Sequence, residues 1–337
     1  MFVSVNYQKE FIFMFFFSII YIIKIFLFDN KIKSSSFYNY ILNDLSQMSL
    51  FFIYFVEKKI SRRKNKEYKI EENLDYTISE RNEKINYKVI IFLFCISFFV
   101  FVFIYINIQE ETPIDNLISI IITIIIDIIF FKKTIFLHHK IPLFTLLLIL
   151  LIKGIYQFKR FTNILLIPKI FLTNYSFSFS IFLIKYLNTY YFLNIYLIGG
   201  IVGIFNLIFD IILSLINSKL KDDFLIMEYN FLYLIILFFI HFLYHFLFYQ
   251  ILYKLGPIQS LISIKFAMLI YCFFDKFSIE IIFNSISILL TLLYLEIIVF
   301  KCCGLNENIE LNVINRGEKG LSNLLNYSSS SDDDDIN

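Results

Sequence analysis

The chain has 337 residues, 58% hydrophobic and 17% charged, with 44 Phe, 23 Tyr, no Trp, 8 Gly and 4 Pro. A soluble domain of this length alternates apolar and polar faces, so the composition excludes that class and points to an all-α polytopic membrane protein. The formal net charge of +2 says nothing as a total, whereas its distribution along the chain does.

A spanning helix needs about 20 mostly apolar residues, because every backbone N–H and C=O must be paired inside the segment once water is gone. Stretches of that kind predict about ten spans, over 10–28, 38–56, 88–107, 115–131, 141–157, 164–184, 192–216, 227–252, 257–274 and 279–300. The first is interrupted by Lys24 and is followed by no small-x-small cleavage site, so it reads as a retained helix rather than a leader. The second contains Asn43, Asp44, Ser46 and Gln47, and the sixth contains Asn174 with four serines or threonines. Both must face protein or a wet cavity rather than lipid.

Between the second and third spans lies a loop, 57–88, that opens with Lys58, Lys59, Arg62, Arg63, Lys64, Lys66 and Lys69. It reads as a disordered cytoplasmic linker, and its positive charge keeps it on the cytoplasmic side. With that loop inside and ten spans, both termini are cytoplasmic. The inner segments then hold Lys9, the ten basic residues of 57–88, Lys132, Lys133, Lys140, Lys185, Lys254, Lys301, Arg316 and Lys319. The outer ones hold Lys31, Lys33, Lys159, Arg160, Lys219, Lys221 and Lys276, a bias in the expected direction. The segment 304–337, with serines before an acidic run, is too polar to fold alone and reads as a disordered cytoplasmic tail. Cys95, Cys272, Cys302 and Cys303 are too scattered for a disulfide framework or a zinc site; the last two are juxtamembrane thiols open to palmitoylation.

Two stretches echo each other. Leu117-Ile-Ser-Ile leads to Phe130-Phe131 and lysines, and Leu261-Ile-Ser-Ile leads to Phe273-Phe274, Asp275 and Lys276. Each is a helix, a tight polar turn and a second helix, and in a ten-span topology the two turns lie on opposite membrane faces. That is the pattern of a 5+5 inverted repeat with halves of about 10–157 and 164–300, an arrangement in which the solute site lies near the midplane.

Ionisable groups deep in a membrane cost several kcal/mol unless paired or hydrated, so each is a candidate for solute or ion contact. The candidates are Asp127, Asp210, Lys265 and the pair His241 and His245, which share a helix face at i, i+4. Lys265 suits either an anion contact or a buried pair with Asp127 or Asp210. The histidines suit either a proton relay or hydrogen bonds across a helix interface, and without a third ligand they are not a metal site. Lys24, Lys153 and Glu296 lie near predicted helix ends and read as snorkelling to the interface. Gly199, Gly200 and Gly203 read as a close-packing surface. No nucleophile elbow, Walker loop, H-E-x-x-H or CxxC is present, so nothing supports an enzyme, a cofactor or a metal.

The run 117–155, with Lys132, Lys133, His138 and His139 between its two apolar stretches, resembles the fourth and fifth helices of the drug/metabolite transporter superfamily. Residues 165–205, with Lys185, Gly200 and Gly203, resemble helices six and seven of its solute carrier 35 group. The F-type, nucleotide-sugar-transporter-like members are the most similar. Residues 252–299, with Lys265, resemble helices nine and ten. The likeness covers about 10–303 by order and spacing more than by identity. Where that group carries acidic residues, this chain has Leu183, Ile184 and Gly199, and Asp115 replaces a basic residue.

The resemblance implies a secondary transporter that moves a small polar, anionic organic solute, nucleotide-sugar-like or another metabolite, by rocking two halves. The departures leave a non-transporting scaffold as the alternative. The expected partners are a small-molecule solute and the lipid bilayer, with no nucleic acid and a homodimer left open. The expected location is an integral, multi-pass position in an endomembrane (Golgi, ER or lysosome-like) or the plasma membrane.

Overall fold

The computed structural model describes residues 2–3, 8–31, 36–71, 87–110, 116–130, 137–158, 166–216, 231–275, 279–295 and 298–299. Apart from one two-residue antiparallel pair, β1 (Phe2–Val3) with β2 (Ile298–Val299), and short links, the described residues are helical. The helices are α1 (Gln8–Lys31), α2 (Ser36–Met48), α3 (Leu50–Glu71), α4 (Tyr87–Glu110), α5 (Asn116–Phe130) and α6 (Leu137–Phe158). They continue as α7 (Leu166–Tyr190), α8 (Ile195–Ile216), α9 (Phe231–Lys254), α10 (Pro257–Asp275) and α11 (Ile279–Tyr294). The all-α class expected from composition is therefore observed.

Each expected span coincides with a helix, except that the second is divided between α2 and α3 at Ser49, and three ends differ. Glu57 to Glu71, expected as loop, continues α3, because lysine, arginine and glutamate are good helix formers and need no apolar face to extend a helix already nucleated. α7 runs on to Tyr190, which places Lys185 inside the helix rather than after it. The last helix stops at Tyr294, and Ile298–Val299 pair instead with the start of the chain.

Local chemistry sets several boundaries. α2 and α3 meet at Ser49, whose hydroxyl and N–H both reach the Leu45 carbonyl, at 2.9 and 3.1 Å. Such a side chain competes for the helical acceptor and favours a break. Asn194 caps α8, its Oδ1 accepting the Tyr196 N–H at 2.9 Å. Between α9 and α10, Gly256 takes φ 120°, a region side chains avoid. Pro257 then opens α10, where its missing N–H costs nothing.

The principal packing pairs close a ring: α1 on α9, α9 on α2, α2 on α8, α8 on α4, α4 on α7, α7 on α5, α5 on α10, and α10 back on α1. α6 and α11 pack on each other and join the ring through α5 and α10. The outer faces carry large exposed apolar side chains, among them Phe52, Ile129, Phe144, Leu151 and Ile155. Among the described residues, Pro168–Tyr190, Ile195–Leu213 and Leu232–Lys254 are long and apolar enough to cross a membrane, and five shorter apolar helices accompany them.

The polar residues that weaken the second and sixth spans as sequence turn inward. Asp44 and Ser46 are fully buried, and Gln47 is nearly so. On α7, Asn174 Oδ1 accepts the Ser119 hydroxyl at 2.6 Å, and the Ser178 hydroxyl donates to the Ser119 carbonyl at 2.9 Å. These bonds clasp α7 to α5.

Candidate functional site

A cavity of about 260 Å³ lies inside the ring, walled by residues of α1, α2, α4, α7, α8 and α9. α2 contributes Tyr40, Asn43 and Gln47, at i, i+3 and i+7, so helical periodicity brings them to one face. α9 contributes His241, Tyr244, His245, Phe248 and Tyr249 on the same logic. α4, α7 and α8 supply mostly apolar wall, including Val100, Ile181, Ile184 and Val202.

The polar half is organised around Asn43. Its Oδ1 accepts from Lys24 Nζ at 3.2 Å and lies 3.0 Å from His245 Nε2. One amide oxygen has two lone pairs, so it serves both donors if His245 carries its proton on Nε2. Lys24 Nζ also sits 4.0 Å from the Tyr244 ring centre, within cation–π range. Tyr244 is itself held by Phe17 and Tyr21, with ring centroids at 5.2 and 5.6 Å. Gln47 donates to the Tyr249 hydroxyl at 2.7 Å and accepts from Asn206 Nδ2 at 3.4 Å, so it links the cavity wall to α8. His241 is 1% exposed, and neither of its ring nitrogens has a hydrogen-bond partner. A buried imidazole on a cavity wall with both nitrogens unmet is a group awaiting a ligand or water.

Behind this wall stands a second feature. Asp44, one position on from Asn43 and so about 100° further round the helix, is fully buried and within hydrogen-bond reach of the Asp210 carboxyl on α8. Asp210 is 2% exposed.

Glycines bring these two helices together. A Cβ on Gly203 would meet the Met48 backbone nitrogen at 2.6 Å and the Asp44 carbonyl oxygen at 3.1 Å. One on Gly200 would meet the Phe51 ring at 2.7 Å, and one on Gly199 the Leu50 side chain at 2.7 Å. The close-packing reading of these glycines holds, and their partner is the α2–α3 rod.

The expected site residues divide into three groups. His241 and His245 line the cavity. Asp210 lies one layer out, against Asp44. Lys265 on α10 and Asp127 on α5 belong to helices that do not contribute to the cavity wall; Lys265 is 2% exposed and Asp127 half-buried. Lys24, expected at the interface, is instead on the cavity wall, because α1 continues to Lys31 and leaves it almost two turns inside. Lys153, also expected to snorkel, is 8% exposed. Lys185 donates to the Tyr253 carbonyl at 3.0 Å, near the end of α9 where cations are favoured. His139 packs on Tyr294, with ring centroids 5.1 Å apart, and so joins α6 to α11. The His138 side chain, Lys132, Lys133, Asp115, Glu296, Lys301, Cys302, Cys303 and the acidic tail lie outside the described residues.

Sequence reasoning missed Lys24, Tyr40 and the role of Asp44. The signal it had was the polar run in the second span, which required a wet or protein-facing environment. Among the described residues, no group of three or more His, Cys, Asp or Glu side chains could hold a metal ion. No known protein-family model matches the chain, and no curated protein is similar enough to match it.

Proposed function

We propose that the chain is a multi-pass membrane carrier that binds a small anionic organic solute in the ring cavity and exposes it to either side in turn. The observation that carries the reading is the cavity itself, with Lys24, Asn43, Gln47 and His241 facing aromatic and aliphatic walls. A cation braced by an aromatic face, with the unmet imidazole of His241 beside it, suits a carboxylate or phosphate on an apolar or planar body. At about 260 Å³ the cavity falls below the roughly 300–1,000 Å³ of drug-sized sites. That favours a small metabolite over a nucleotide-sugar.

The packing pattern supports a 5+5 repeat. When α2 and α3 are taken as one rod, exchanging each rod with the one five places on carries the ring onto itself. α1–α9 becomes α7–α4, α9–α2 becomes α4–α8, and α1–α10 becomes α7–α5, while α2–α8, α5–α10 and α6–α11 map onto themselves. Lesser contacts follow the exchange less closely. Halves related in this way can rock about a central site. The pairing of Phe2–Val3 with Ile298–Val299 brings the two ends of the helical region together, which supports an even number of crossings. Ten crossings with cytoplasmic termini, in an endomembrane or the plasma membrane, fit that parity.

The apolar residues Ile181, Ile184, Val100 and Val202 on the wall are what favours the second reading, a scaffold that keeps the helices without moving a solute. An untargeted screen by thermal stabilisation in detergent, followed by flux of the hits in proteoliposomes, separates the two. Small anions should stabilise the protein and be carried. A folded preparation that moves no nucleotide-sugar, amino-acid or phosphorylated solute would leave the scaffold.

A further inference from the structure

We infer that Asp44 and Asp210 form a proton-binding site of the carrier, a carboxyl pair that holds one proton at rest and takes up a second when an anion engages Lys24. The inference rests on the carrier reading for its role in transport, while the site itself stands on the burial of the two carboxyls, their contact and their unmet oxygens. Ionised carboxylates only accept hydrogen bonds, so contact between the Asp44 and Asp210 carboxyls requires a proton between them. Both groups are more than nine-tenths buried, and the outer oxygen of each, Oδ2, has no partner. Asn206, one turn before Asp210 and 2% exposed, likewise keeps an unmet Oδ1. The layer between α2 and α8 is thus short of protons and donors.

The charges around the pair define what a second proton would do. Lys24 of α1 acts electrostatically on Asp44, and Tyr40 of α2 lies close enough to feel Asp210. From α9, His245 reaches Asn43, the neighbour of Asp44, and His241 faces the same cavity. On α3, Glu57 accepts from Asn194 Nδ2 at 3.1 Å, just ahead of α8, and Lys58 donates to the Tyr54 hydroxyl at 2.8 Å, with exposed Lys59 beside it; on α4, Lys88 stands in the first turn. With one proton the pair carries a single negative charge, balanced by Lys24. A bound anion takes over that balance and leaves the pair uncompensated in a low-dielectric layer, where net charge is costly. Uptake of one proton from water onto the free carboxylate restores neutrality. Proton and anion therefore bind cooperatively, and each raises affinity for the other. The carrier moves them in the same direction.

Infrared spectroscopy of the purified full chain reads the proton directly, through the carbonyl stretch of a protonated carboxyl and its downshift in D2O. At neutral pH exposed carboxyls are ionised, so the wild type should show this band, and the Asp44→Asn/Asp210→Asn double variant should lose it. Lys24→Met removes the balancing charge as an anion would, and should raise the band about twofold; Lys254→Met should leave it unchanged. Absence of the band in the wild type, its survival in the double variant, or an unaltered band in Lys24→Met would each overturn the inference, and the first and last need no double variant to fold. A sodium-dependent melting shift lost in Asp210→Asn would also overturn it, by assigning the pair to a metal cation. An assigned band in a protein that carries no solute would sink the carrier reading and leave the proton site standing.

Discussion

The Lys24 ammonium lies 4.0 Å from the centre of the Tyr244 ring and 3.2 Å from Asn43 Oδ1. One cation is thereby pinned between an aromatic face on α9 and an amide on α2, with its third side towards the cavity. The ring contributes about 0.5–2 kcal/mol at such a site. Tyr244→Phe should retain the affinity for an anionic ligand found by thermal screening, and Tyr244→Leu should weaken it by that amount. Equal binding by all three proteins would detach the ring from recognition.

Gly203 makes the second prediction. A methyl group there meets backbone of α2 rather than the end of a movable side chain, so Gly203→Ala must push α8 away from Asp44. Overpacking of this kind costs about 1–3 kcal/mol. Gly154, with nothing within 4 Å of an added Cβ, is the contrast. There alanine should be neutral or stabilise by up to about 1 kcal/mol, since glycine weakens a helix interior. Thermal unfolding of the two variants in detergent compares them, and similar melting temperatures would contradict the α2–α8 contact.

Gln47 meets the Tyr249 hydroxyl and Asn206 Nδ2 at once. Gln47→Leu strands both, and buried groups left unmet cost about 1–3 kcal/mol. Adding Tyr249→Phe removes one of the stranded groups and should recover part of the loss. A double-mutant cycle measures that recovery, and strict additivity would mean the bond contributes nothing.

The helices were legible because their cause is local. An apolar run of sufficient length marks each rod; the break at Ser49 and ends such as Glu71 and Tyr294, where charge or strand pairing takes over, escaped. The site was half legible. His241 and His245 share a face at a spacing any helix imposes, so their convergence could be read directly. Lys24 could not, because its reading turned on where α1 stops, and its partner Asn43 is set by packing between rods. Asp44 looked like a blemish in a weak span until Asp210 stood opposite it. Asn174 was a similar blemish, and its bond to Ser119 shows that polar side chains in such helices join one rod to another.

Lys265 separates the sequence reading from the structural one. It is almost wholly buried on α10, which does not wall the cavity. Lys265→Met should therefore lower stability by about 1–3 kcal/mol, the usual cost of removing one partner of a buried polar contact, while the folded fraction keeps its solute affinity. Unchanged melting with abolished binding would return Lys265 to the solute site.

α2 is only thirteen residues long, yet three of its edges are spoken for: one by the cavity, one by the Asp210 carboxyl, one by the glycines of α8. News of an arriving solute needs no long relay to reach the acid pair, since a single turn of backbone separates Asn43 from everything Asp44 touches. The same economy is a vulnerability. A proline introduced at Leu45 would disrupt the cavity wall, the acid pair and helix docking in one stroke, which makes this short segment the place where the proposed carrier would most readily be switched off.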